Sequence, residues 1–267
     1  MSDVLPVIVV LIGLLGVIIG SFLNVVIHRV PEGQSLVRPG SACPACGAAV
    51  RPRDNIPIVS WLLLRGRCRD CSAPISSRYP IVEAVTGVLW ALLAWWALVT
   101  PDALPLLPLV LVLTAAGVAL TVIDLDHHRL PNVIVLTLYP VTVAGLLLAG
   151  ALGGRWPLAA AGIGAALWLV VIGIPWLVSG GRGMGFGDVK LAPVLGVTLG
   201  WWALSASVVG LFLAFGLGAV VGIILMIAGR AGRKTALPFG PFLLAGALVG
   251  LLVGPAIGSA YGSWLSG

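Results

Sequence analysis

The chain has 267 residues, of which 60% are apolar and only 9% are charged, and its mean hydropathy is +1.13. This composition excludes a soluble globular protein, whose surface carries far more charge. The net charge of +6 comes from basic residues in short segments between apolar stretches, so it indicates contact with anionic lipid headgroups and gives no evidence for nucleic-acid binding.

Apolar stretches long enough to cross a membrane recur along the chain. A helix needs roughly 20 residues to span about 30 Å of hydrocarbon, and about eight segments approach that length. They are residues 4–23, 81–99, 104–123, 133–151, 157–179, 190–203, 204–228 and 241–262. The 190–203 segment is short, and Gly200-Trp201-Trp202 is its expected outer turn. The predicted fold class is therefore an all-α polytopic membrane protein with about eight transmembrane helices.

We expect the first apolar segment to remain as a transmembrane helix within residues 1–27. It lacks the basic start and the small-residue cleavage pattern of a secretory signal peptide. The longest polar stretch follows, and residues 28–80 are expected to form a small cytoplasmic domain. Residues 81–267 are expected to form a second, transmembrane domain.

All four cysteines lie in the polar stretch, as Cys43-Pro44-Ala45-Cys46 and Cys68-Arg69-Asp70-Cys71. Two such pairs suit tetrahedral Zn²⁺, because each pair forms a knuckle and four thiolates complete the coordination shell. So small a domain buries little core, and metal binding would supply much of its folding free energy. Four reduced thiols without metal are the alternative, while a disulfide or a redox pair is disfavoured in the reducing cytoplasm.

The distribution of Lys and Arg predicts the orientation in the membrane, because short basic loops stay in the cytoplasm. With the N-terminus outside, Arg155 is the only one of the 15 Lys and Arg residues that falls on the outer face. The basic residues of the later cytoplasmic loops are then Arg129, Arg182, Lys190, Arg230, Arg233 and Lys234. We therefore expect a multi-pass protein with its N-terminus outside and its long polar domain inside.

Two aspartates lie where an apolar segment meets a polar loop: Asp124 in Ile123-Asp124-Leu125-Asp126, and Asp188 in Gly185-Phe186-Gly187-Asp188. Carboxylates at membrane depth are costly, so they indicate function. The expected topology puts both at the cytoplasmic face, where two carboxyls that share a proton could activate water for hydrolysis. The pattern predicts a membrane-embedded aspartyl protease with Asp124 and Asp188 as its catalytic pair.

Asp126 is a weaker candidate than Asp124. Residues two apart on a helix point in directions that differ by roughly 200°, so only one of them faces the partner carboxyl. Asp124 is nearer to the apolar segment, where burial favours the protonated form. For either aspartate, the alternative is a residue that merely caps the end of a helix.

Glycines precede Asp188, and we expect Gly185 and Gly187 to form a substrate loop. Glycine permits close backbone approach or dihedral angles closed to other residues, which suits an extended substrate beside a carboxylate. Glycines at Gly216-x-Gly218 and Gly246-x-x-x-Gly250 are interpreted instead as sites where helices pack closely.

Short motifs also follow one another in a characteristic order. They are Gly20-Ser21-Phe22-Leu23-Asn24, Cys43-Pro44-Ala45-Cys46, Asp54-Asn55-Ile56-Pro57, Arg65-Gly66-Arg67-Cys68-Arg69-Asp70-Cys71, Ser77-Arg78-Tyr79-Pro80, Ile123-Asp124, Leu130-Pro131, Gly185-Phe186-Gly187-Asp188-Val189-Lys190 and Pro238-Phe239-Gly240-Pro241-Phe242. Together they resemble the type IV prepilin peptidases, the leader peptidases of type IV pilus and type II secretion systems. The family's first aspartate motif often ends Leu-Pro-Asp, whereas here Asn132 follows Pro131, which keeps the shape and loses the charge.

The resemblance implies a bifunctional enzyme of the bacterial inner membrane. Such an enzyme cleaves the basic leader from prepilins or pseudopilins at the cytoplasmic face, and methylates the new N-terminal residue with S-adenosylmethionine. It implies that Asp124 and Asp188 act as base toward water and acid toward the scissile carbonyl. By the same resemblance, residues 28–80 are associated with the methyltransferase and residues 81–267 with the aspartyl peptidase. The implied metal is structural Zn²⁺ on Cys43, Cys46, Cys68 and Cys71.

The residues of the methyltransferase are not apparent, because no Gly-rich nucleotide-binding turn follows a strand. Asn24 and Glu83, at cytoplasmic helix ends, are candidates for a cofactor or substrate pocket. The alternative is a buried polar pair that supports helix packing.

Two other classes of protein compete with the protease. A membrane transporter with interfacial acidic residues and a structural zinc module would usually hold its acids near the midplane, often in repeated halves, and no repeat is visible here. A membrane-anchored zinc scaffold would leave both aspartates dispensable. His127 and His128 are interpreted as solvated residues and not as a second metal site.

Overall fold

The computed structural model describes residues 4–181, 184–230, 232 and 237–267. Arg182, Arg233 and Lys234, which the sequence assigns to the cytoplasmic side, lie outside the described residues. Nine α-helices occur in the described part: α1 (Val4–Arg29), α2 (Val59–Leu63), α3 (Arg78–Val99), α4 (Leu107–His127), α5 (Asn132–Gly153), α6 (Leu158–Ser179), α7 (Phe186–Trp202), α8 (Leu204–Ile227) and α9 (Gly240–Ser266). No strand occurs in these ranges, and the predicted all-α class is confirmed.

Seven helices of the described chain are long and apolar enough to cross a membrane. They are α1, α3, α4 with the turn that precedes it, α5, α6, α8 and α9. The eighth long helix, α7, has 17 residues, in agreement with the short segment predicted there. It packs against α5, α6, α8 and α9 and is buried over most of its length. The chain is therefore a multi-pass membrane protein, and the expected count of about eight helices is approximate.

Four helices extend further into polar sequence than the apolar runs predicted. α1 continues to Arg29 instead of residue 23, and α3 begins at Arg78 instead of residue 81. α4 continues to His127 instead of ending at residue 123, and α7 begins at Phe186 instead of residue 190. Asp124 thus lies in the last turn of α4 and Asp188 in the first turn of α7. An acidic residue is favoured at a helix N-terminus but opposes the helix dipole at a C-terminus, so another interaction must stabilise Asp124 at its position.

The chain folds as two compact units. Unit 1 comprises Met1–Pro101 and Val110–Ala119. Within it α1 packs along α3, and glycines bring the two backbones together: a Cβ built on Gly20 would lie 2.7 Å from the Cα of Glu83. The polar stretch with the cysteines connects these two helices.

Unit 2 comprises Asp102–Leu109 and Leu120–Gly267. Here α6 packs against α7, and α8 packs against α9. A Cβ on Gly246 would lie 2.5 Å from the carbonyl oxygen of Gly210, so the close packing predicted at Gly246-x-x-x-Gly250 is confirmed. At Gly216 the same prediction is wrong, because a Cβ there would meet no atom within 4 Å.

Candidate functional site

Asp124 is buried, with 5% of its surface exposed. Its Oδ2 accepts a hydrogen bond of 3.1 Å from the backbone N–H of Gly240. Gly240 is the first residue of α9, and the first N–H groups of a helix have no partner within the helix and favour a negative charge. This contact compensates for the unfavourable place of Asp124 at the end of α4. Asp126 is exposed, which is the difference in burial that the helical spacing predicted.

Asp188 is equally buried, with 5% of its surface exposed. Its Oδ1 has no hydrogen-bond partner among the described residues. A Cβ built on Gly185 would lie 3.0 Å from Oδ2 of Asp188, so the glycine lets the backbone approach the carboxyl. Gly185 itself has an ordinary extended conformation with φ −69°. Close approach, and not an unusual dihedral angle, is therefore what glycine permits here.

Leu130 connects the surroundings of the two aspartates. A Cβ on Gly187 would lie 2.8 Å from the Cβ of Leu130, and a Cβ on Gly240 would lie 3.3 Å from its Cδ2. Leu130 therefore contacts both the residue before Asp188 and the residue that binds Asp124. The surroundings of both aspartates therefore meet at the same leucine side chain. Such an arrangement can hold one proton between two carboxyls.

Lys190 ties the start of α7 to α5. Its Nζ donates to Oδ1 of Asn132 at 2.8 Å, and Tyr139 Oη donates to its backbone carbonyl at 2.7 Å. The Nζ also lies 4.3 Å from the ring centroid of Phe186, within the range of a cation–π contact. Asn132, which departs from the family's usual aspartate, thus keeps a hydrogen bond to a cation.

The four cysteines converge in unit 1. The sulfur atoms of Cys43, Cys46, Cys68 and Cys71 all lie within 4.8 Å of one another. The sulfurs of Cys43 and Cys71 are 3.8 Å apart, and four sulfurs bound to Zn²⁺ at ~2.3 Å are themselves about 3.8 Å apart. The cluster could therefore hold a metal ion, and its sulfur donors and spacing fit zinc.

The two knuckles of this cluster are built alike. In each, a cysteine N–H donates to a carbonyl five residues later, from Cys43 to Ala48 and from Cys68 to Ala73. A residue with positive φ closes each turn, Gly47 at 72° and Ser72 at 60°. Because both cysteine pairs share this turn geometry, we infer that the turns orient the four sulfur atoms toward one another.

Ion pairs join the flanks of the knuckles. Arg51 contacts Asp70 at 2.7 Å, and Arg69 donates from both Nε and Nη2 to the carboxylate of Asp54. The hydrogen bonds from Arg69 lower the pKa of Asp54 below its ordinary value, and the same contact raises the pKa of Arg69. The Arg51–Asp70 pair is solvent-exposed, so it orients its turn more than it stabilises it. In the other pair the side chain of Asp54 is only 10% exposed.

Two family models match the chain. One, described as the bacterial Peptidase A24 N-terminal domain, matches residues 14–97, and one described as the Type IV leader peptidase family matches residues 111–227. A prepilin leader peptidase/N-methyltransferase of Aeromonas salmonicida is 40% identical over 262 residues, which cover 87% of this chain and 86% of that relative. The chain belongs to the type IV leader peptidase family.

Other family members bearing the name prepilin leader peptidase/N-methyltransferase are similarly related. That of Pseudomonas aeruginosa is 38% identical over 257 residues, covering 86% of this chain and 85% of the relative. That of Myxococcus xanthus is 43% identical over 238 residues, covering 86% of this chain and 67% of the relative. None of the solved structures matches this one.

Sequence reasoning on this leader peptidase missed the contacts of Gly240 and Leu130. Both belong to motifs that supported the resemblance, Pro238-Phe239-Gly240-Pro241-Phe242 and Leu130-Pro131, but neither was assigned a role. The sequence shows a glycine between two bulky residues near the start of a predicted helix, but this pattern does not indicate which residue the glycine contacts. Gly240 and Asp124 are 116 residues apart, a separation that no local pattern bridges.

Asn24 and Glu83 both hydrogen-bond to backbone within unit 1. Glu83 Oε2 accepts from the N–H of Ile58 at 2.7 Å, and Asn24 Nδ2 donates to the carbonyl of Tyr79 at 3.2 Å. Ile58 has a positive φ of 61°, which a β-branched residue adopts only when its surroundings impose it. Glu83 thus holds the polar stretch against α3, in keeping with the supporting role named as the alternative for this pair.

Proposed function

We propose that this leader peptidase removes the basic leader of a prepilin or pseudopilin and methylates the new N-terminal residue with S-adenosylmethionine. One observation supports the peptidase half: Asp124 and Asp188 are buried carboxyls at the ends of two helices. The glycines beside them, Gly240 and Gly187, both lie against Leu130. Membership of the family and the names of its relatives support both halves.

The chemistry follows from paired carboxyls that hold one proton. The ionised member takes a proton from water while the water oxygen bonds to the scissile carbonyl carbon, and the protonated member gives its proton to the carbonyl oxygen. The resulting gem-diol collapses as the first carboxyl passes its new proton to the leaving nitrogen and the second recovers a proton from a hydroxyl. The C–N bond breaks, and both carboxyls return to their initial states.

The site faces the cytoplasm in this proposal, and the N-terminus lies outside. The distribution of Lys and Arg supports this orientation. A prepilin inserts with its basic leader in the cytoplasm, so its scissile bond then lies at the same membrane face as Asp124 and Asp188. Gly185, just before α7, leaves room for an extended substrate segment beside the carboxyl of Asp188. The expected substrate loop does not include Gly187, which lies in the first turn of α7 and packs against Leu130.

The cytoplasmic polar domain, residues 28–80, holds structural Zn²⁺ in this proposal and serves the methyltransferase. Cys43, Cys46, Cys68 and Cys71 would be its ligands, which their mutual distances support. The ion would contribute folding free energy to a segment with little core of its own. The transmembrane segments, residues 81–267, would form the peptidase.

A transporter is not favoured by the arrangement of the acidic residues. Asp124 lies in the last turn of α4 and Asp188 in the first turn of α7, so both lie at helix ends. Transporters generally bind their substrates near the bilayer midplane, on helices broken within the membrane.

The decisive experiment compares wild type, Asp124→Asn and Asp188→Asn in liposomes with a model prepilin. We expect each variant to lose cleavage by at least about 10³-fold, because each removes one of two proton-transfer groups. Asp126→Asn, at the exposed neighbour, should stay within about twofold of wild type. Mass spectrometry follows leader loss and added methyl separately, and two fully active Asn variants would remove the peptidase proposal.

A further inference from the structure

The two buried carboxyls have different surroundings. Oδ2 of Asp124 receives the N–H of Gly240 at the start of α9. Oδ1 of Asp188 is buried without a partner in the described part of the chain. Asp188 also lies at the positive end of a helix, in the first turn of α7, so a helix end favours the ionised form of both carboxyls. What differs between them is the oxygen of Asp188 that lacks a donor. A buried oxygen without a donor is costly, and more so when it carries charge.

We propose that Gly240 is a positioning residue that keeps Asp124 ionised as the base of the pair and thereby assigns the acid role to Asp188. The inference rests on the proposed peptidase function and deepens it. The sequence leaves the acid and base roles of the pair open, and both aspartates have 5% of their surface exposed. Burial therefore cannot distinguish them, and the hydrogen bond from α9 can.

This assignment specifies the donor and the acceptor of each proton transfer. Water loses its proton to Asp124 as its oxygen attacks the scissile carbonyl carbon, and Asp188 delivers its proton from Oδ1 to the carbonyl oxygen. In the second step Asp124 passes its proton to the leaving nitrogen, and Asp188 regains one from the gem-diol. In this mechanism Oδ1 of Asp188, which has no partner in the described part of the chain, forms its hydrogen bond with the carbonyl oxygen of the substrate.

Space around position 240 favours glycine there. A Cβ there would lie 2.8 Å from Oδ2 of Asp124 and 3.3 Å from Cδ2 of Leu130. Any side chain would displace the carboxylate, the leucine or the start of α9. A side chain at residue 240 would thus disturb the hydrogen bond from its N–H to Asp124.

Other ionisable groups on the surrounding elements also bear on the pH dependence of the pair. In the described residues, α4 and the turn after it carry Asp126, His127, His128 and Arg129, α7 carries Lys190, and α5 carries Tyr139. α9 carries only Tyr261, near its other end. The donor that α9 supplies is therefore uncharged, and its contribution can be isolated by removing one N–H.

The sharpest test replaces Gly240 with glycolic acid by cell-free synthesis into nanodiscs, which exchanges the N–H for an ester oxygen without adding a side chain. We expect kcat for prepilin cleavage to fall about 10-fold to 100-fold, and the acidic limb of the kcat–pH profile to move up by about one to two pH units. KM should change by less than about twofold, because the donor acts on the pair and not on the substrate.

Gly240→Ala tests the space requirement, and Gly218→Ala is its matched control. A Cβ on Gly218 would lie 3.1 Å from Cε2 of Phe239, so it crowds the same motif without touching Asp124. Gly240→Ala should lose cleavage while Gly218→Ala keeps it. Thermal melting and methylation of a pre-cleaved pilin peptide identify any variant that fails to fold.

The outcomes separate this inference from the function on which it rests. If the ester variant keeps the wild-type kcat and pH profile while Asp124→Asn is inactive, the role of Gly240 is wrong and the peptidase stands. If the ester lowers kcat but leaves the acidic limb in place, Gly240 does not act through ionisation of the pair, and the inference is again overturned. If Asp124→Asn and Asp188→Asn both cleave normally, both proposals fall.

Discussion

Beside the two aspartates, the contact between Gly187 and Leu130 depends on the absence of a side chain. A Cβ on Gly187 would lie 2.8 Å from the Cβ of Leu130, closer than two such carbons pack. Asp188 follows Gly187 directly, so a displaced Gly187 moves a carboxyl relative to its partner. Errors of about 1 Å in the position of a catalytic group can lower a rate about 10²-fold.

Gly187→Ala should therefore lower kcat for cleavage by about 10²-fold and leave methylation of a pre-cleaved peptide unchanged. Gly173→Ala is the control, because a Cβ there would lie 3.9 Å from Cγ1 of Val189, an ordinary contact with the same helix. Rates of both reactions by mass spectrometry provide the measurement. A wild-type cleavage rate in Gly187→Ala would mean that the start of α7 can shift without consequence for the pair.

At the scale of whole helices, contact between α6 and α7 positions the helix that carries Asp188. Gly164 on α6 faces Gly196 and Gly200 on α7, and Cβ atoms at these positions would meet backbone of the opposite helix. Close backbone approach is how helices associate in lipid, where the hydrophobic effect does not drive them together. Gly164, Gly196 and Gly200 therefore belong to the scaffold that positions the proposed peptidase site.

Gly196→Ala should destabilise the protein by about 1–3 kcal/mol, because its methyl group must separate two packed backbones. Gly162→Ala on α6 should have the opposite sign, a gain of up to about 1 kcal/mol, since alanine is the better helix former. A Cβ on Gly162 would meet no atom within 4 Å. Unfolding in mixed detergent micelles measures both, and equal stability of the two variants would contradict the close packing.

At the scale of the whole chain, the two candidate centres belong to different units. The cysteine cluster is in unit 1, and Asp124, Asp188 and Gly240 are all in unit 2. Each centre is assembled from residues of its own unit. The two proposed activities should therefore respond differently to loss of metal.

Cys46→Ser combined with Cys71→Ser should abolish zinc binding, because two of four ligands are lost. We expect methylation to fall with the zinc content while cleavage continues. Ala45→Ser is the control, since it adds a hydroxyl to the same knuckle and keeps all four sulfurs. Metal analysis of the purified protein and the two rates are measured together, and a parallel loss of both activities would contradict the division of roles between residues 28–80 and 81–267.

The elements of the fold could be predicted because each rests on a local pattern. Apolar runs of membrane-spanning length identified the helices, and cysteine spacing identified the two knuckles. The ends of α4 and α7 were missed because Asp124 and Asp188 interrupt the apolar runs. The backbone remains helical through these polar residues, but a hydropathy pattern marks only the apolar part of a helix.

The sequence by itself determined the class of membrane protein, the approximate number of spans and the two aspartates worth testing, because composition and hydropathy reflect the cost of burying polar groups in lipid. Only the tertiary structure decided which neighbours those aspartates have. The N–H of Gly240 reaches Asp124 across 116 residues of sequence, and Leu130 contacts both glycines beside the pair. Such contacts depend on how helices pack, and packing joins residues that no interval along the chain relates.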